Sequence, residues 1–309
     1  MRRSRSAPGR AAGALIILAL AVAAVGAGDD APAAPQPPDL ARVDDTAHVR
    51  TTDHFVVRGH NGPLVDLLAS SAERTLARLG RRRLAAPAAA APIEIIIHPT
   101  REAYGAAVGA DLAGAEAHVA IRRADDGTLE RTIHLVQRTD EGRFDDRLLG
   151  RILPHEIAHA VLEARFVKAS APLYLQEALA VAAEAGEHRT AILLAGLAVA
   201  EGRDLPLEDL VRRDEVEAEQ AALFYAQSYS LVTYLRRQLT ERQFKRFLDE
   251  LAGGQPTFDA LRRALRVGHD ASFAARLQQA WRDDAVRQAA LVAATEPAGR
   301  AASQPAQGG

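Results

Sequence analysis

The sequence predicts an α+β fold, in which a small mixed β-sheet forms most of the N-terminal half and helices form the whole C-terminal half. Two observations support this order. The clearest runs of β-branched residues after the N-terminus lie before about residue 140. From about residue 145 onward, apolar residues recur at helical spacing in one segment after another.

The N-terminal half contains short strand-like runs separated by helical patterns. Residues 93–97 (IEIII), which follow Pro92, form the clearest strand of the chain. Residues 117–123 and 131–137 flank the turn signal DDG at 125–127, and this arrangement predicts a β-hairpin. The other predicted elements of this half are a strand at 54–58, a helix at 63–80 and a helix through Tyr104.

The C-terminal half reads as successive helices separated by Gly and Pro residues such as Gly253, Gly254 and Pro256. The first helical segment, 145–166, carries the motif on which the functional argument depends. The further helical segments are 172–200, 205–213, 218–238, 241–252, 257–266 and 270–288.

The two ends of the chain differ in composition from the rest. Residues 1–27 combine four arginines, an apolar stretch and small residues before a cleavage point, the order of a secretory signal peptide. An uncleaved N-terminal membrane anchor is the alternative. Residues 28–45 are rich in Pro and Ala and predict a linker, and residues 291–309 predict a disordered tail. One folded domain is therefore expected at 46–290.

The overall composition excludes several classes of function. Lys and Arg number 38 and Asp and Glu number 40, so the formal charge of −2 disfavours a nucleic-acid partner. The chain has no cysteine, which excludes disulfides, thiolate zinc sites and a cysteine nucleophile. Any metal must therefore be held by His, Asp or Glu.

The pentapeptide His155-Glu156-Ile157-Ala158-His159 is an H-E-x-x-H motif. On a helix, positions i and i+4 lie on one face, so both imidazoles can bind one Zn²⁺. Glu156 can then accept a proton from water at the metal, as a general base. The flanking residues are apolar, and two histidines with a glutamate in a buried helix are costly unless they are paired or bound to a metal.

A catalytic zinc site needs a third protein ligand. The extended motif H-E-x-x-H-x-x-G-x-x-H is excluded, because Leu162 and Arg165 stand where its Gly and last His would be. Glu177 lies in an otherwise apolar helical segment and is the preferred candidate. Glu163, one turn after His159, is a rival that would need the helix to bend.

The segments HEIAHAVLEARF and APLYLQEALA together resemble the gluzincin zinc metallopeptidases, and specifically the bacterial peptidase MA-like family. The resemblance implies a zincin-like fold, with His155, His159 and Glu177 as zinc ligands and Glu156 as the general base. Two residues depart from the family pattern: Tyr174 replaces a Trp and Ala178 replaces a Gly. A weaker resemblance covers about residues 50–285 and includes the segment FYAQSYSLVTYL.

Four other residues are candidates for supporting roles. Tyr225 and Tyr229 could stabilise a developing oxyanion through the phenol, and Tyr225 is the preferred one of the two. Packing of both rings within the helices is the alternative. If residues 117–123 form an edge strand that pairs with extended substrate, His118 and Arg122 would border the substrate.

The sequence thus predicts an exported zinc peptidase, periplasmic or extracellular, that acts on a peptide or protein. After signal cleavage no membrane span is expected. The alternatives are a zinc-binding envelope protein without turnover and a hydrolase of a non-peptide amide, for example in the cell wall. The sequence does not indicate an oligomeric state.

Overall fold

The computed structural model describes residues 16–19, 38–81, 91–123, 128–166, 170–186 and 188–295. The described residues fold into two compact units, one formed by those up to Ala164 and the other by those from Arg165 onward. The turn predicted at 125–127 and most of the predicted signal segment lie outside the described residues. Residues 296–309 of the predicted tail also lie outside them.

The described part of the first unit contains a six-stranded mixed sheet with the order β1-β5-β6-β4-β3-β2. The pairs β3–β4 and β4–β6 are parallel, whereas the other three pairs are antiparallel. The predicted β-hairpin is confirmed as β5 and β6. The strands are β1 (Ile16–Ala19), β2 (His48–Thr51), β3 (Phe55–Gly59), β4 (Ile93–His98), β5 (Ala117–Arg123) and β6 (Leu129–Val136).

Helices dominate the rest of the described chain, which confirms the predicted α+β class. The first unit has α1 (Gly62–Arg81), α2 (Arg101–Val108) and α3 (Leu153–Glu163). The second unit has α4 (Leu173–Ala183), α5 (Arg189–Ala200), α6 (Leu207–Arg212), α7 (Ala218–Gln238), α8 (Glu241–Ala252), α9 (Thr257–Leu265) and α10 (Phe273–Ala294).

The core of the first unit follows from the two-residue period of its strands. Ile93, Ile95 and Ile97 point to one face of β4 and are buried there. Helix α1 packs against β2 and β3, and α3 packs against α1, β5 and β6. The helix that carries the H-E-x-x-H motif is therefore anchored on the sheet, which fixes the direction of its side chains.

Two segments near the N-terminus have structure that the sequence did not predict. Strand β1, within the predicted signal segment, pairs with β5 so that Ile16 lies opposite Ile121. A short 3-10 helix, Pro38–Ala41, lies within the predicted linker, and its Leu40 is buried. The buried side chain of Gln137 donates hydrogen bonds to the carbonyls of Leu40 and Arg42. The signal peptide stays a prediction.

The second unit differs from the prediction at one helix break. The predicted segment 172–200 is two helices, because the chain turns between Ala183 and Arg189. Gly186 and His188 adopt positive φ angles of 126° and 50°, which end one helix and start the next. Gly196 on α5 touches α10, where a Cβ would lie 2.3 Å from the Ala289 Cβ. Among the helices of the described segments, none is both long enough and apolar enough to cross a bilayer.

Candidate metal centre

The helix that carries the H-E-x-x-H motif begins with an unusual turn. Residues Leu148–Ile152 form a π-helical turn, and the Leu153 N–H donates to the Leu148 carbonyl five residues earlier. Pro154 follows directly after this turn. Because proline has no N–H to donate, the regular α-helical hydrogen bonds are interrupted here, and the wider π-helical turn lies at this interruption. Before this turn, Arg147 donates to the carboxylates of Asp145 and Glu116, which raise the pKa of its guanidinium.

All eleven residues of α3 are buried, including the three polar residues of the motif. His155 and His159 are each 2% exposed and Glu156 is 1% exposed. The two imidazoles lie one turn apart, with ring centroids separated by 4.8 Å and ring planes at 64°. A buried polar set of this kind requires polar or metal partners to offset its loss of hydration.

Helix α4 presents the predicted third ligand. It begins after Pro172, and the Gln176 side chain donates to the Ala171 carbonyl over 2.6 Å. Glu177, the residue after Gln176 on α4, is only 3% exposed. Tyr174, which stands where the resemblance implies a Trp, is fully buried, and its hydroxyl lies 3.3 Å from the Thr257 hydroxyl. The phenol therefore fills a buried site at this position.

The side chains of His155, His159 and Glu177 come together. One possible ligand atom from each lies within 4.8 Å of the other two, and all three residues are buried. In the part of the chain that the structure describes, they form the one group of three or more His, Asp or Glu residues arranged in this way. The rival Glu163 is buried on α3 but is not part of the group. These three residues form a possible metal site.

Residues 148–286 match the family model described as the Peptidase MA superfamily. The match covers just under half of the chain and includes the whole of α3, α4 and α7. This part of the chain is similar to the Peptidase MA superfamily. Neither the curated proteins nor the solved structures contain a match to this chain. The superfamily points to a metallopeptidase and to metal binding, and both agree with the buried His and Glu group.

The Peptidase MA region also contains the predicted oxyanion-stabilising residue. Tyr225 on α7 is half-buried, and α7 packs against α4. Burial raises the pKa of the Tyr225 phenol, and the negative charge of Glu177 raises it further. The phenol therefore stays protonated at neutral pH and lies within electrostatic range of Glu177. Tyr229, one turn later, stacks at a tilt against His188 with ring centroids 4.9 Å apart.

The predicted substrate-binding residues lie on β5, before the Peptidase MA region. His118 is 3% exposed, and its Nδ1 is hydrogen-bonded to the Tyr104 hydroxyl over 3.0 Å. Arg122 is exposed and forms an ion pair with Glu130 across the hairpin. Their assignment to substrate binding stays a prediction.

The structure groups His98 and His134 with His118 and Tyr104. His118 and His134 lie directly opposite each other on β5 and β6. His98 on β4 is hydrogen-bonded to His134, with 2.9 Å between Nε2 and Nδ1. This contact could not be predicted from the sequence, because it depends on the register of three strands.

Proposed function

We propose that this protein is a zinc-dependent peptidase whose metal is held by His155, His159 and Glu177. The observation that carries the proposal is the convergence of one ligand atom from each residue within 4.8 Å. Two imidazoles and a carboxylate are an established donor set for catalytic zinc, which keeps its fourth position open. All three residues are buried, and a bound cation would offset the negative charge of Glu177 there.

The residues around the site have separate tasks in this proposal. Bound zinc would polarise the scissile carbonyl and lower the pKa of water. Glu156 accepts a proton from the attacking water and passes it to the leaving amine. Tyr225 donates a hydrogen bond to the carbonyl oxygen as negative charge develops there, a role that its neutral phenol suits.

The proposal extends to the substrate and to the place of action. The substrate is a peptide or protein, whose extended backbone pairs with β5 near His118 and Arg122. Cleavage of residues 1–27 would remove β1 and leave β5 as an edge of the sheet, free to pair with another strand. The mature protein would then act in the periplasm or outside the cell, without a nucleic-acid partner.

The Glu156→Gln variant tests the enzymatic part of the proposal. It keeps the size of the side chain but removes the proton acceptor, so we expect zinc content as in the wild type and a loss of hydrolysis of at least about 100-fold. Zinc would be measured by elemental analysis and hydrolysis on a peptide library. Retained hydrolysis would show that Glu156 is not the base.

The third ligand is tested by comparing two buried glutamates. Glu177→Ala should release most of the zinc, because one of three ligands is lost. Glu163→Gln is the matched control, since Glu163 is also buried but does not belong to the ligand group. It should retain zinc. The reverse result would assign the third ligand to Glu163.

The same measurements separate the two alternatives predicted from the sequence. A wild-type protein that is loaded with zinc but inert on the peptide library would favour a non-catalytic zinc-binding protein. Hydrolysis of cell-wall amides without hydrolysis of peptides would favour the hydrolase of a non-peptide amide. The intact Glu156 supports an enzyme, because a structural zinc needs no base.

A further inference from the structure

Strand β5 is paired with another strand along both of its edges. Along one edge, Ala117–Arg123 pair with β6. Along the other edge, β1 runs antiparallel to β5, from Ile16 opposite Ile121 to Ala19 opposite His118. The strand order places β1 at the end of the sheet. The second edge of β5 is thus covered by a segment that belongs to the predicted signal peptide.

This pairing excludes any other strand from the same place. A β-strand has two edges at which its backbone can form hydrogen bonds with another strand. One edge of β5 is taken by β6 within the sheet. A peptide that adds to β5 must therefore use the edge that β1 covers, and the two cannot pair there at the same time. The exclusion depends on the backbone of β1 and not on its side chains.

The covered edge belongs to the part of the first unit that holds the H-E-x-x-H helix. Helix α3 packs against β5 and β6, and the buried Arg131 of β6 donates to the carbonyl of Ala160, the residue after His159. His118, which lies opposite Ala19, is also one of the two residues proposed to border the substrate. Strand β1 therefore lies along the stretch of β5 with which the substrate is proposed to pair.

Strand β1 is also tethered to an anchored point of the same unit. Residues 20–37 connect it to the 3-10 helix Pro38–Ala41, in which Leu40 is buried. The Gln137 side chain donates to the Leu40 and Arg42 carbonyls over 2.8 and 2.9 Å. A strand on a tether of this kind competes for a site at an effective concentration of the order of mM. A free peptide at micromolar concentration would meet an edge that is already covered.

We propose that Ile16–Ala19 is an internal competitor of the substrate, which covers the β5 edge and keeps the uncleaved chain latent. The inference rests on the proposed function, in which the substrate pairs with β5. Cleavage after Ala27 would release β1 and leave the anchor at Leu40 in place. Removal of the signal segment would then be the step that activates the peptidase, and the chain would not attack peptides before its export.

The first test weakens β1 in the full chain, produced without export and with an intact N-terminus verified by mass spectrometry. Backbone N–H groups of successive strand residues point to opposite sides, so either Ile17 or Leu18 directs its N–H toward β5. Ile17→Pro combined with Leu18→Pro removes this donor in either case. KM should fall by at least about 10-fold, because the fraction of chains with a free edge increases. Both kcat and zinc content should stay within about twofold of the wild type.

A second double variant is the matched control. Ala33→Pro combined with Ala34→Pro adds two prolines to the tether, outside β1, and should keep the wild-type KM. An unchanged KM in the Ile17 and Leu18 double variant would overturn the inference, and so would an equal fall in the control.

Cleavage of the tether provides a second kinetic test. A recognition site for a sequence-specific protease would be inserted after Ala31, and the folded full chain would be cut there. The cut chain should gain activity on dilution, since β1 loses its high effective concentration and dissociates. Its KM should approach that of the Ile17 and Leu18 double variant. A KM that the cut leaves unchanged at nanomolar protein would contradict the competition.

Hydrogen exchange separates failure of this inference from failure of the proposed function. Amides of residues 118–121 that face β1 should exchange at least about 10-fold faster in the Ile17 and Leu18 double variant than in the wild type. This readout needs no hydrolysis. Unchanged exchange would overturn the inference, even if the protein is an active peptidase. Faster exchange in a double variant that is inert on the peptide library would overturn the proposed function, and β1 would remain the occupant of the edge.

Discussion

The rings of His155 and His159 lie 4.8 Å apart at 64°, whereas the rings of His118 and His134 lie 4.7 Å apart at 7°. The two pairs have nearly the same spacing between rings, but their ring orientations suit different interactions. The inclined pair on α3 can aim one nitrogen of each ring at a common point, as a metal requires. The stacked pair on the sheet can only pack and form hydrogen bonds at its edges. Ring orientation, more than proximity, thus distinguishes the possible metal site.

Removal of metal should lower the melting temperature. A ligand that binds only the folded state at 100 times its Kd adds about 2.7 kcal/mol to the free energy of unfolding. For a protein of this size that corresponds to several degrees, measured by scanning calorimetry with zinc and with a chelator. His159→Gln should abolish the difference, and Glu156→Gln should retain it. A chelator effect of the same size in His159→Gln would place the metal elsewhere.

Tyr225→Phe should slow hydrolysis without weakening substrate binding. If the phenol donates to the developing oxyanion, its loss lowers kcat by about 10-fold or more with little change in KM. Tyr229→Phe is the comparison, because Tyr229 lies on the same helix and contacts His188 instead. Initial rates over a range of peptide concentrations would provide both constants. A larger loss in Tyr229→Phe would move the oxyanion role to that residue.

The metal-free protein should lose stability as the pH falls from about 6.5 to about 4. His98, His118 and His134 have folded-state pKa values of about 4, below the ordinary value of 6.5. In this window the unfolded chain binds more protons, so the free energy of unfolding decreases on acidification, by up to about 3 kcal/mol for each histidine. Urea unfolding at several pH values would measure it.

The His134→Phe variant tests the source of this pH dependence. It keeps a ring in the stack but removes one titratable group, so the slope against pH should become shallower. An unchanged slope would show that other groups cause the acid sensitivity.

Gly196→Ala should destabilise the second unit. The added Cβ would lie 2.3 Å from the Ala289 Cβ and 2.7 Å from the Ala285 carbonyl oxygen, so α5 and α10 must move apart. We expect a loss of about 1–3 kcal/mol, measured by urea unfolding. Gly80→Ala on α1 meets no atom within 4 Å and should be neutral or slightly stabilising. Partial recovery in Gly196→Ala combined with Ala289→Gly would confirm the steric cause.

N-terminal sequencing of the protein from a bacterial host that exports it tests the signal peptide. Cleavage should follow Ala27, so that the mature chain begins at Gly28 and lacks β1. An intact N-terminus in the membrane fraction would instead support the N-terminal anchor. Cleavage should also leave the backbone of β5 exposed to faster hydrogen exchange than in the full chain.

Most elements were predictable because their causes are local. The period-two pattern of β4, the DDG sequence between β5 and β6, and the proline before α4 are signals that act within a few residues. The break between α4 and α5 was missed because apolar residues continue through it, and the left-handed conformation of His188 has no clear sequence signal. Strands β1 and β2 were not predicted, because strands this short are stabilised more by pairing with a neighbouring strand than by their own composition.

The sequence by itself determined the class of the site. The i, i+4 spacing on one helix places His155 and His159 on the same face in any fold, and the absence of cysteine restricts the ligands to His, Asp and Glu. Only the tertiary structure placed Glu177, and not Glu163, in one possible metal-binding group with both imidazoles, since that depends on where α4 begins. It also brought His98, His118, His134 and Tyr104 together, because strand register acts over distances that no local pattern encodes.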